Sequence, residues 1–281
     1  MAKLGSMRYQ VQQELLSQKR FGEKKHDARK EEHTQYPEGI FSYSTYKTYV
    51  KECCTFADWV KAEHRINRLD RAKQFVPEYL ERQVDRGLSP WTVKLQRAAL
   101  SKLYHCRGKD WGVEIPERKR PDIARSRNDC ERDKHFSVSR NKDLVDFLRG
   151  TGCRRYGAQR VRPCDIHVHE NGHVTVDVVE KGGKRRSIPV LWGFEEAVGK
   201  YASDSKKPIW GKIHGSCDVH GYRREYAQEL YRRLAREDIP KGQRYWARGD
   251  KKGQCFDRAA LGAVSRALGH ARLGVVVNNY L

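Results

Sequence analysis

The stretch LGHARLGVVVNNYL, residues 268–281, closes the sequence and places Tyr280 ten positions after the histidine of Leu268-Gly269-His270. Three earlier stretches also carry cationic or imidazole side chains: Thr151-Gly152-Cys153-Arg154, Glu180-Lys181-Gly182-Gly183-Lys184 and His220-Gly221-Tyr222-Arg223. Guanidinium groups bind phosphate oxygens in pairs and stay charged at any working pH. A phenol oxygen can serve as an attacking nucleophile. The set therefore predicts chemistry on a phosphodiester.

The order of these groups resembles the active site of the tyrosine recombinases, the phage-integrase family, over residues 39–281. The resemblance implies that Arg154 and Arg223 hold the scissile phosphate and stabilise its transition state. It implies that His270 contacts the same phosphate and that His220 donates a hydrogen bond or shuttles a proton. Tyr280 would be the nucleophile. A free phenol titrates near pH ~10, so attack at neutral pH needs nearby cations or a base.

The resemblance also identifies a general acid. The family's lysine is the first of two in a turn between strands, which favours Lys181 over Lys184. Such a lysine can reach the minor groove and protonate the departing 5′ oxygen. The register of the Thr-Gly-x-Arg box likewise favours Arg154 over its neighbour Arg155.

Two features depart from the family pattern. The acidic residue that usually follows the first arginine by three positions is Gly157 here, so a bracing carboxylate is missing. Only Leu281 follows the tyrosine, whereas family members usually continue with a segment that docks on a neighbouring protomer. Either the sequence is cut short, or assembly uses another surface.

Each residue also has an ordinary structural interpretation when it is taken alone. Lys181 fits a surface turn, where lysine is common, His270 fits a hydrogen-bonded interior histidine, and Tyr280 fits a surface-packed tyrosine. The order of the motifs, within a basic chain and after a helical domain, favours the active-site interpretation.

The composition predicts a nucleic-acid partner. The formal charge of this 281-residue chain is +21, from 57 Lys and Arg against 36 Asp and Glu. A chain this basic is expected to bind a polyanion, with an affinity that falls steeply with salt. We find no signal-peptide core and no apolar run that would span a membrane. The eight cysteines contain no CxxC pair, which predicts reduced thiols in a cytosolic protein. We expect a cytoplasmic, nucleoid-associated protein.

The pattern predicts a mainly α protein with a small antiparallel β-sheet, an α+β catalytic domain behind a helical SAM-like core-binding domain. We expect a basic N-terminal arm at 1–38, the helical DNA-binding domain at 39–107, a linker at 108–134 and the catalytic domain at 135–281. Apolar residues at helical spacing predict a helix through Tyr49–Val60, capped by Ser44 or Thr45. Ser89-Pro90 predicts the start of another helix.

Within the catalytic domain, alternating apolar residues predict strands on both sides of Asn171-Gly172, a strong hairpin signal. A second turn at Gly182-Gly183 leads into a third strand over Arg185–Val190. The remainder, residues 194–281, is predicted to consist of helices and loops. Cys164, His167, His169 and His173 lie near the hairpin, but their spacing fits no common zinc module, and no metal or cofactor is expected.

The resemblance implies a site-specific recombinase that joins its tyrosine to a DNA 3′ phosphate and acts as a tetramer on double-stranded attachment sites. Such enzymes most often integrate and excise a phage or conjugative element, sometimes with a directionality or DNA-bending factor. A type IB topoisomerase-like enzyme is one alternative, although these generally carry lysine at the position of His220. A non-cleaving accessory protein on the same fold is the other.

Overall fold

The computed structural model describes residues 5–117, 133, 135–180, 183 and 185–281. The chain divides into two compact units, residues 1–119 and 120–281. None of the described helices is both long and apolar enough to cross a membrane.

The described part of the first unit consists of helices and short 3₁₀ turns. The α-helices are α1 (Met7–Ser17), α2 (Lys25–Glu31), α3 (Tyr43–His64), α4 (Leu69–Ala72), α5 (Val76–Asp85) and α6 (Pro90–Leu103), with 3₁₀ turns at Lys73–Phe75 and Gly108–Trp111.

Side-chain caps explain where the two longest helices of this unit begin. The Ser89 hydroxyl accepts a hydrogen bond from the Thr92 amide (3.2 Å), and Pro90 is the first residue of α6, as predicted. The predicted cap of α3 is wrong by two or three residues. Ser42, not Ser44 or Thr45, caps α3, because its hydroxyl accepts from the Thr45 amide (3.1 Å). The Ser89 and Ser42 hydroxyls thus each satisfy a backbone N–H that lacks a partner inside its helix.

The structure corrects the predicted N-terminal arm. Met7, Val11 and Leu15 of α1 are buried, and α1 packs against α3 and α6 as part of the helical unit. Apolar residues at i, i+4 and i+8 give α1 one continuous buried stripe. Residues 21–35 contain α2, in which Ala28 is buried and the other residues are exposed. The predicted linker also begins too early, because Trp111 donates to the Ser101 hydroxyl of α6 (2.9 Å).

The second unit combines helices with two small sheets. Its helices are α7 (Lys142–Thr151), α8 (Arg155–Ala158), α9 (Glu195–Gly199), α10 (Val219–Leu234), α11 (Arg258–Ala267) and α12 (Leu273–Asn279), and its strands are β1 (Ile166–Val168), β2 (Val174–Val179), β3 (Arg185–Pro189), β4 (Arg244–Trp246) and β5 (Cys255–Asp257). Short 3₁₀ turns occupy Ser139–Asn141, Pro163–Asp165, Lys241–Gln243 and Gly249–Lys251.

The predicted three-stranded antiparallel sheet is confirmed, in the order β1-β2-β3. Val176 in the central strand lies opposite Ile166 on one side and Ile188 on the other. Gly172 has a φ of +79°, a backbone conformation that the Asn-Gly turn requires. The pair β4-β5 was missed, because two three-residue strands are too short to show an alternating pattern.

The alternation of β2 sets which residues face the core. Val174, Val176 and Val178 are buried, and the next residue in this alternation is Glu180, directly after the strand. Successive side chains of a strand point to opposite faces. The alternation therefore directs the Glu180 side chain into the core just after β2, and only 4 % of this residue is exposed.

Candidate active site

The first arginine lies at a sharp turn between two helices. α7 ends at Thr151, and Gly152 adopts a φ of +57°. A Cβ atom at this glycine would lie 2.6 Å from the Tyr226 ring, so only glycine fits the turn. Arg154 is the N-cap residue of α8, and its side chain remains 31 % exposed. The Thr-Gly-x-Arg box therefore presents a cation at the surface of the second unit.

Arg155 has a different environment, which separates it from Arg154. Its guanidinium donates hydrogen bonds of 2.7–3.3 Å to four backbone carbonyls, those of Ile213, His214, Gly215 and Cys217. These contacts fasten the loop before α10 and occupy both terminal nitrogens of Arg155. Arg154 donates no such bonds to described residues, which agrees with the register that favoured it from the sequence.

The second arginine is at the centre of the site. Arg223 lies on α10 and is completely buried. Its two terminal nitrogens donate to the carbonyls of Gly152 (2.5 Å) and Leu268 (2.6 Å), and its Nε donates to the Tyr280 hydroxyl (3.1 Å). Burial lowers the pKa of the Arg223 guanidinium, yet an arginine stays charged at any working pH. One side chain thus joins the arginine box, the histidine segment and the tyrosine.

The segment that carries His270 is held by the end of α11. Gly269 has a φ of +68°, and the His270 amide donates to the Ser265 carbonyl (2.8 Å). The Ser265 hydroxyl donates to the His270 carbonyl (3.1 Å). This fixed backbone brings His270 Nε2 to 3.2 Å from the Tyr280 hydroxyl oxygen.

Tyr280 is positioned from both its side chain and its backbone. It follows α12 directly, and its amide donates to the Val276 carbonyl (2.9 Å). Gln228 on α10 donates to the Tyr280 carbonyl (3.0 Å). The phenol oxygen therefore lies between a guanidinium and an imidazole.

His220 lies one helical turn before Arg223 on α10, as the His-x-x-Arg spacing predicts. Its imidazole makes no hydrogen bond with the residues that the structure describes. Loss of solvation lowers the pKa of His220 below the ordinary 6.5, and the positive charges of Arg223 and Arg154 lower it further. The imidazole is therefore neutral at pH 7 and able to accept or pass on a proton.

We expect NMR titration to give His220 a pKa below 6.5, and replacement of Arg154 by glutamine to move that pKa towards 6.5. The change removes one of the cations that disfavour the imidazolium, while the loss of solvation, which is the larger cause, stays. Arg232→Gln, on the exposed surface of the same helix, should leave the titration unchanged. A wild-type pKa at or above 6.5 would contradict this account.

Sequence reasoning missed an ionic link beside Arg154. Glu180 Oε1 lies 2.5 Å from a terminal nitrogen of Arg186 and 3.4 Å from one of Arg154. Arg186 also donates to the Ala267 carbonyl at the end of α11. The signal was present in the sequence, because the alternation through Val174, Val176 and Val178 places Glu180 on the buried face of β2.

The structure thus brings together three of the predicted residues by direct contact: Arg223, His270 and Tyr280. Arg154 is close enough to lower the pKa of both Arg223 and His220. Lys181 and Lys184 lie outside the described residues, so their placement stays a prediction. Among the remaining histidines, His167 contacts Asp177 (3.2 Å) and His169 contacts Thr175 (2.9 Å) on the sheet.

No protein-family model and no curated protein matches the chain. Several solved structures match the chain. The XerH site-specific recombinase, bound to difH substrate in a pre-cleavage complex, shares 16 % identity with a TM-score of 0.51. The match covers 96 % of this chain and 90 % of that one. The post-cleavage complex of XerH matches at 17 % identity over 96 % and 89 % of the two chains, with a TM-score of 0.49.

The Tn1549 transposon integrase, in complex with circular intermediate DNA, shares 10 % identity over 99 % of this chain and 95 % of that one, with a TM-score of 0.42. At these identities the likeness concerns the fold. The pre-cleavage XerH complex, together with the helical first unit and the antiparallel sheet of the second, supports one conclusion. The chain has the fold of the tyrosine recombinases.

Proposed function

We propose that this protein is a site-specific DNA recombinase that cuts and rejoins DNA through a 3′-phosphotyrosyl intermediate. The observation that carries the proposal is the Tyr280 hydroxyl, which receives a hydrogen bond from Arg223 Nε and lies 3.2 Å from His270 Nε2. A completely buried guanidinium thus donates directly to the hydroxyl of a partly exposed tyrosine. The fold shared with XerH, a site-specific recombinase, supports the same interpretation.

In the reaction, the Tyr280 oxygen attacks the scissile phosphorus and forms a P–O bond. The bond from phosphorus to the 5′ oxygen breaks, and that oxygen takes a proton and leaves as a hydroxyl. His270, in contact with the phenol, is the candidate to receive its proton, and Lys181 is the candidate to protonate the leaving group. A 5′ hydroxyl from a partner duplex then reverses the step, so the phosphodiester is restored without an external energy source.

The two arginines have separate tasks in this proposal. Arg154, with its side chain partly exposed, binds the non-bridging phosphate oxygens. Arg223 is buried and holds the nucleophile through its Nε. Neutral His220, one turn before Arg223, supplies a further donor on the same helix.

The partner is double-stranded DNA with attachment sites, on which the protein assembles as a tetramer. The net charge of +21 supports DNA as the partner, because neutralising phosphates releases counterions and strengthens binding. Integration and excision of a phage or conjugative element is the biological role that fits an enzyme of this kind. A directionality or DNA-bending factor would set the balance between the two.

A covalent-trapping experiment tests the proposal. The protein is incubated without metal with nicked duplexes, taken from the DNA that flanks its gene and from a randomised pool, and then denatured in detergent. We expect a protein–DNA adduct, and sequencing of the trapped DNA would give the site. DNA binding without any adduct would instead indicate a non-cleaving accessory protein. Relaxation of supercoiled DNA at random sites would indicate a topoisomerase-like enzyme.

A further inference from the structure

We propose that Glu180 is the positioning carboxylate of the site, which holds Arg154 in place for the phosphate and replaces the acidic side chain that Gly157 lacks. The inference rests on the proposed function and assigns a task to a residue that takes no direct part in the reaction. Three observations on the second unit support it.

The first observation is the burial of a bridging carboxylate. The Glu180 side chain is 5 % exposed, and a single oxygen, Oε1, approaches both Arg154 and Arg186. The other oxygen, Oε2, is buried and accepts no hydrogen bond from the described residues. A carboxylate present only to pair with Arg186 would gain most from a two-oxygen contact. The observed geometry instead leaves one oxygen unpaired and places the other between two guanidiniums.

The second observation is the space beside Gly157. A Cβ atom built on this glycine would lie 3.5 Å from Glu180 Oε1 and 3.6 Å from its carboxyl carbon, which is ordinary contact distance. A short acidic side chain at position 157 would therefore place its charge where the Glu180 charge already is. Two carboxylates so close would repel each other. An acidic residue at position 157 and Glu180 are thus two alternative ways to supply one negative charge beside Arg154.

The third observation is what Glu180 connects. Arg186, its second partner, donates to the Ala267 carbonyl, and its Cδ would lie 2.9 Å from a Cβ at Gly269. The carboxylate therefore links Arg154 to the backbone directly before His270. Two guanidiniums that converge on one phosphate repel each other, and a fixed carboxylate behind Arg154 offsets this repulsion and restricts its rotamer. Displacing a reacting group by about 1 Å can slow a reaction roughly 100-fold.

The test compares the rate of covalent adduct formation, at saturating nicked DNA, among four variants. Glu180→Ala and Glu180→Gln should each slow the adduct by roughly 100-fold, while DNA affinity changes far less. Adding Gly157→Asp to Glu180→Ala should raise the rate of adduct formation at least roughly tenfold above that of Glu180→Ala alone. The matched control, Gly157→Asn added to Glu180→Ala, has the same shape without the charge and should restore nothing.

Folding and function are separated in the same experiment. Glu180→Ala removes the carboxylate partner of Arg186, whose side chain is 6 % exposed, so thermal unfolding is measured for every variant. Glu180→Gln keeps an oxygen that Arg186 can bind and tests the charge in a folded protein. Wild-type rates in either Glu180 variant, or equal rescue by Gly157→Asp and Gly157→Asn, would overturn the inference. If the wild-type protein forms no adduct at all, the proposed function itself fails, and the inference falls with it.

Discussion

Replacing Tyr280 by phenylalanine is expected to abolish the covalent protein–DNA adduct and to leave DNA binding nearly unchanged. The substitution removes one oxygen atom, which receives the Arg223 Nε hydrogen bond and lies 3.2 Å from His270 Nε2. The ring and the backbone contacts of the residue, to Val276 and Gln228, stay in place. Loss of an attacking group slows such reactions by roughly 10⁴-fold or more. Detergent-stable adduct on nicked duplex is the direct measurement.

A matched control is available on the same unit. Tyr201 is half-buried and its hydroxyl donates to Asp143 (3.1 Å), so Tyr201→Phe also removes one oxygen and one hydrogen bond. This variant should form adduct at the wild-type rate. Peptide mapping of the wild-type adduct should locate the DNA on Tyr280. Adduct formation by Tyr280→Phe, or attachment at another residue, would contradict the proposed nucleophile.

Much of the fold is predictable from local signals. Ser89-Pro90 begins a helix because the hydroxyl and the proline ring each favour that position, and Asn171-Gly172 forms a hairpin because its turn needs a positive φ. The errors arise where local signals are weak. α1 looks like part of a basic arm, since its three buried residues are spread among polar ones. Only contacts with helices far along the chain show that it belongs to a core.

The candidate site was predicted in its residue types and order, but not in its connections. The choice of Arg154 over Arg155 rested on register. The structure adds a physical reason, because four backbone carbonyls hold Arg155. Arg223 binds the backbone carbonyls of Gly152 and Leu268. Because every residue has a backbone carbonyl, such contacts cannot be predicted from residue types. Glu180 is different, since an inward-facing charge after a run of alternating valines is a readable signal.

Replacing Arg223 by lysine is expected to slow adduct formation by roughly 100- to 1000-fold, although the positive charge is kept. The three groups that Arg223 binds are separate in sequence: the Gly152 carbonyl, the Leu268 carbonyl and the Tyr280 hydroxyl. A planar guanidinium has donors in several fixed directions, whereas an ammonium is one compact donor group on a flexible stem. The lysine can satisfy one or two of these acceptors and leaves the others unpaired. Loss of one donor from a charged transition state has an effect of this size.

The same substitution should lower the free energy of unfolding by about 2 kcal/mol, because a buried carbonyl loses its partner. Denaturant unfolding measures this, and Arg232→Lys, whose side chain is 72 % exposed on the same helix, is the matched control. Measuring the unfolding free energy and the adduct rate together separates a structural role of Arg223 from a role in the reaction. A variant that loses stability but keeps its adduct rate would show that Arg223 only fastens three segments together. Loss of both would agree with the proposal that Arg223 also acts on the phenol oxygen that it contacts.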